Sequence, residues 1–118
     1  MKKIILLVMT TAFLSLSVQA HAQGVTVELY KKANGEDAKA VNKLFLTGVS
    51  AGLTSYSAYL MSQGKSPAFC VPATFALTGE QAETIMLRWA KKYPSKTNWP
   101  VSMALMAGLM ETFPCTAH

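Results

Sequence analysis

Thr78-Gly79-Glu80-Gln81-Ala82-Glu83-Thr84-Ile85-Met86-Leu87-Arg88-Trp89-Ala90-Lys91-Lys92-Tyr93-Pro94 carries a helix start, an apolar stripe and a helix stop in one stretch. Thr78 and Gln81 have the spacing of a capping box. The threonine hydroxyl can accept the Gln81 backbone N–H while the glutamine side chain reaches back to the Thr78 N–H. Glu80 and Glu83 fall in the first turn, where carboxylates suit the helix dipole, and Lys91 and Lys92 fall in the last. Ala82, Ile85, Met86, Trp89 and Tyr93 step by three or four residues and define a buried face. Pro94 ends the helix.

Two further helices flank this one. Pro100 to Thr112 places Val101, Ala104, Leu105, Gly108 and Leu109 on one side, and Pro114 closes it just before Cys115. Upstream, Glu36 to Ser62 lies between Asn34-Gly35 and Gly64, which are suitable boundary residues. Its stripe is Val41, Leu44, Phe45, Gly48, Gly52, Tyr56 and Tyr59. A helical glycine costs about 1 kcal/mol relative to alanine, so Gly48-x-x-x-Gly52 predicts a close approach by another helix. Val25-Thr26-Val27-Glu28-Leu29-Tyr30 alternates like a strand but has no second strand to pair with. It reads as an extended arm or the first turn of an additional helix. Ala73 to Leu77 has no decisive pattern.

The N-terminus predicts export. Lys2 and Lys3 precede an apolar run from Ile4 to Val18, and small residues follow at Ala20 and Ala22. This is the anatomy of a secretory signal over residues 1–22, cleaved after Ala20 or Ala22, leaving 23–118 as one helical domain. The run falls short of the about 20 residues that a membrane span needs. Cleavage lowers the net charge from +5 to +3, and the remaining lysines are scattered along the chain. A nucleic-acid binder would show a denser basic stripe.

Export also decides the state of the two cysteines. In an oxidising compartment, two thiols in a small chain are expected to pair, linking Cys70 in Phe69-Cys70-Val71-Pro72 to Cys115 in Phe113-Pro114-Cys115. The expected architecture is therefore an all-α small helical bundle with one intramolecular disulfide. The cysteines form no Cys-x-x-Cys pair, which argues against a redox role.

Little in the chain suits catalysis. Nucleophilic or metal-assisted chemistry needs a positioned base, and the two histidines are His21, at the cleavage point, and His118, the last residue. Glu80 and Glu83 read as dipole partners rather than an acid–base pair. We expect no enzyme activity and no cofactor. Cleavage after Ala20 would make His21 an N-terminal amine–imidazole pair able to hold copper. Met103, Met106 and Met110 could supply soft ligands, although methionines more commonly fill cores or form adaptable surfaces. That leaves the linker from Lys91 to Pro100, stiffened by two prolines. Within it, Ser95, Lys96, Thr97, Asn98 and Trp99 form the candidate partner-binding turn, with Trp99 of the type that anchors interfaces.

The succession of Phe69-Cys70-Val71-Pro72, a helix opened near Gln81, Tyr93-Pro94 and an apolar helix closing in Phe113-Pro114-Cys115 resembles the Rap/Tai family. Ala73 to Leu77 lengthens one connection relative to that pattern. Characterised members are small exported immunity proteins against type VI secretion amidases, cysteine enzymes that cut peptidoglycan peptides in the periplasm. The resemblance implies a periplasmic protein, alone or as a homodimer, that occludes such an amidase by inserting a loop into its cleft. A small periplasmic acid-stress chaperone and a copper-binding envelope protein are the competing readings.

Overall fold

The computed structural model describes residues 24–116; the segment read as an export signal, with His21, and the terminal His118 lie outside them. Four α-helices follow in order: α1 (Val27–Lys32), α2 (Glu36–Ser62), α3 (Gly79–Lys92) and α4 (Val101–Thr112), with a short 3-10 turn at Pro94–Lys96 between the last two. The only β-type pairing among the described residues is an isolated bridge between Thr26 and Pro100. The fold is all-α, as the sequence predicts.

Helices α3 and α4 form the centre. The capping box is present in full: the Gln81 N–H donates to Thr78 Oγ1 at 3.2 Å, and the Thr78 N–H donates to Gln81 Oε1 at 3.0 Å. Ala82, Ile85, Met86 and Trp89 are buried on α3, and Val101, Ala104, Leu105, Gly108 and Leu109 on α4. The two faces meet closely at Gly108. A β-carbon there would lie 2.9 Å from Ile85 Cγ2 and 3.1 Å from the Ile85 carbonyl oxygen. Backbone against backbone cannot yield, so only glycine fits this crossing.

Helix α2, about 40 Å long at 1.5 Å per residue, corrects one expectation. The stripe of Val41, Leu44, Phe45, Tyr56 and Tyr59 is exposed, and neither Gly48 nor Gly52 has a neighbour within 4 Å of where a β-carbon would sit. The helix instead turns Leu46, Ser50 and Ser57 inward, with Val49 and Leu53 packed at the edge of the core. Two serines look wrong for a core position. Ser50, however, donates to its own helix at the Thr47 carbonyl, 3.0 Å away, so its hydroxyl is buried already satisfied. Helical periodicity alone could not say which of two apolar stripes faces inward.

The disulfide joins Cys70 to Cys115 with Cα atoms 5.0 Å apart. Around it the Cys70 N–H donates to the Phe113 carbonyl at 2.8 Å, Phe69 is fully buried, and Phe75 packs on Phe113 with ring centroids 5.1 Å apart. These contacts bind the irregular segment after α2 to the end of α4.

A braced turn as the candidate partner-binding site

Pro94 interrupts α3, and the chain then reverses in two tight steps. The Lys96 N–H donates to the Tyr93 carbonyl and the Trp99 N–H to the Lys96 carbonyl, each at 3.0 Å. Pro100 leads into α4. This much follows from local sequence.

What holds the turn comes from far away. Thr26 caps α1 by accepting the Leu29 N–H, yet the first N–H groups of any helix still lack partners inside it. Here the turn supplies them. The Val27 N–H donates to the Trp99 carbonyl at 3.0 Å and the Glu28 N–H to the Thr97 carbonyl at 2.9 Å. The Val101 N–H returns a bond to the Val25 carbonyl at 2.8 Å. The Val25–Tyr30 segment is thus both things its sequence suggested: an extended arm at Val25–Thr26, then a short helix. Its partner is the backbone of the turn, which no pattern within residues 25–30 could announce.

Side chains brace the same turn from below. Trp89 packs between Tyr93 and Trp99, with ring centroids at 4.9 and 5.3 Å. Trp99 is therefore half-buried, and Lys96 Nζ sits 4.8 Å above its ring. Tyr93 donates its hydroxyl to Glu111 at 2.7 Å, and Lys92 pairs with the same carboxylate at 2.9 Å. Tyr93, and then Lys92, hold the Glu111 carboxyl below the usual carboxylate range, and that carboxylate in turn holds the Lys92 ammonium above the usual lysine range. Of the five predicted site residues, Ser95, Lys96 and Asn98 form the exposed tip, while Thr97 and Trp99 are half-buried and carry its support.

Two other concave surfaces stand out among the described residues. Met103, Met106 and Met110 line an open apolar groove with Leu53 and Trp99; Met103 and Met110 are exposed there as an adaptable surface, while Met106 packs partly against the core. On the opposite flank, α1, α2 and α3 enclose a cleft of about 370 Å³ walled by Tyr30, Lys31, Lys39, Asn42, Lys43 and Glu83. Burial, and then the Glu83 carboxylate, push the Tyr30 hydroxyl up to about 12. Among the described residues no group of His, Cys, Asp and Glu is placed to hold a metal ion. No helix among the described residues is long and apolar enough to cross a membrane.

The family model of Rap1a immunity proteins matches residues 19–115. No curated protein and no solved structure matches the chain.

Proposed function

The chain belongs to the Rap1a immunity protein family, and we propose that it is a periplasmic immunity protein that occludes the cleft of a type VI secretion amidase acting on peptidoglycan peptides. The observation that supports this reading is the braced turn. Its tip exposes Ser95, Lys96 and Asn98, while Thr97 and Trp99 are fixed by α1 and by Trp89. A loop that is already ordered loses little conformational entropy when it enters a cleft, which favours tight inhibition. The residues 1–22 act as the export signal that delivers the chain to the compartment where the amidase works.

The test is to titrate the oxidised mature chain into a type VI peptidoglycan amidase and follow cleavage of muropeptides. Stoichiometric inhibition is expected. Replacing Ser95, Lys96 and Asn98 together by alanine is expected to weaken inhibition at least tenfold, since hot-spot truncations cost roughly 2 kcal/mol or more. The melting temperature should stay unchanged. Full inhibition by the triple variant would remove the turn from the mechanism.

The exposed stripe of α2 supports a homodimer. Gly48 and Gly52 lie at the middle of a stripe running from Val41 to Tyr59. A two-fold crossing centred there would bring Leu44 of one copy to Tyr56 of the other, and would let the helix backbones approach closely. Replacing Gly52 by leucine is expected to leave the monomer folded, because the space around it is open, and to shift sedimentation toward the monomer. An unchanged mass would exclude this crossing.

A further inference from the structure

The lysines that look scattered along the sequence are not scattered in space. Lys31 from α1 and Lys39 and Lys43 from α2 stand around one cleft, facing a single carboxylate, Glu83 of α3. Neither Lys31 nor Lys43 forms an ion pair among the described residues, and Lys39 meets only the exposed Glu36 at 3.9 Å. Asn42 donates its side-chain amide to the Tyr30 carbonyl at 3.3 Å, which fixes α1 against α2 and sets the width of the cleft. Lys31 also lines a shallow depression whose other residues include Lys32 and Thr97. Lys31 therefore stands between the cleft and the side of the turn at Thr97.

Lysines from two helices around one concave surface, of which only Lys39 meets a carboxylate among the described residues, and at 3.9 Å, favour an anionic partner that can approach more than one of them at once. Charge complementarity of this kind acts mainly on the rate of encounter and on the choice of partner. Resting on the immunity reading above, we propose that this lysine-walled cleft is a second docking point for the effector, taking an acidic patch that lies beside the effector's own cleft. The turn then blocks the substrate path while the lysines bring the partner in and set its orientation.

Two measurements test the proposal separately from the immunity reading. In the first, hexaglutamate is titrated into the isotope-labelled mature chain at low salt. Amide shifts are expected at Lys31, Asn42 and Lys43 and are expected to vanish in the K39E/K43E variant, while the charge-matched K65E/K91E variant keeps them. Shifts spread evenly over all lysines, or inorganic phosphate reproducing the hexaglutamate shifts, would overturn the assignment to an acidic protein surface. In the second, the association rate with an inhibited amidase is expected to fall at least tenfold in K31E/K39E/K43E, and its salt dependence to flatten. A triple variant that associates at the wild-type rate would remove the cleft from the interface while leaving inhibition by the turn intact.

Discussion

Replacing Cys70 and Cys115 by serine is expected to leave the mature chain largely unfolded at physiological temperature. The bridge spans 45 residues, and closing a loop of that size in the unfolded chain corresponds to about 4 kcal/mol in the chain-entropy model. Domains of this size have total stabilities of about 5–15 kcal/mol, with small cores toward the lower end. Local contacts do not replace the bridge. Between Ser62 and Gly79 the chain forms no helix, and its attachment to α4 rests on Phe69, the Cys70–Phe113 hydrogen bond and the Phe75–Phe113 contact. Thermal melts of the double serine variant, and of the wild type under reductant, check this. A melting temperature within a few degrees of the oxidised protein would show that packing alone suffices.

Trp89→Ala is expected to cost about 3–5 kcal/mol, the usual range for emptying a buried tryptophan site. In a domain of this length each kcal/mol shifts the melting temperature by roughly 4–8 °C. Collapse into the vacated space is restricted, because Gly108 already brings α4 against the α3 backbone and leaves no room for further approach. The same substitution removes the surface on which both Tyr93 and Trp99 rest. Loss of stability and loss of inhibition should therefore appear together, in contrast to the tip alanines, which separate them. Trp89→Phe, keeping a ring in the stack, is expected to recover much of both. If Trp89→Ala melted like the wild type, the stack would not support the turn.

The parts of the fold legible in sequence are those whose information is local. Thr78, Gln81, Tyr93 and Pro94 mark the ends of α3 without reference to any other element, and the stripe between them is buried as predicted. Helix α4 carries a second apolar stripe in Met103, Met106 and Met110, but the run of Val101, Ala104, Leu105, Gly108 and Leu109 has the small residues that close packing needs, and it is the one buried. Helix α2 also offers two faces. Val41, Leu44 and Tyr56 make the stronger apolar pattern by composition, yet Leu46, Ser50 and Ser57 face inward, because small side chains permit close packing on α3 and α4 and the Ser50 hydroxyl is satisfied within its own helix. The turn was visible as a proline-bounded linker, but its brace was not. The N–H groups of Val27 and Glu28 find their acceptors only once the fold brings α1 and the turn together. The lysine cleft was hidden in the same way, because Lys31 belongs to one helix and Lys39 and Lys43 to another.

That brace ties the arm at residues 25–28 to the segment 97–101 in time as well as space. Val27 and Glu28 wait for carbonyl groups that lie about seventy residues further along, and contacts of such separation form late in folding. In an exported chain the N-terminal arm emerges first and stays unclasped until the final helix has followed it out. The turn proposed to inhibit is thus completed only once Thr97 to Val101 have followed, so a chain stalled or clipped before residue 97 is expected to have no functional fraction to offer. An affinity tag fused directly ahead of Val25 would press on this same clasp.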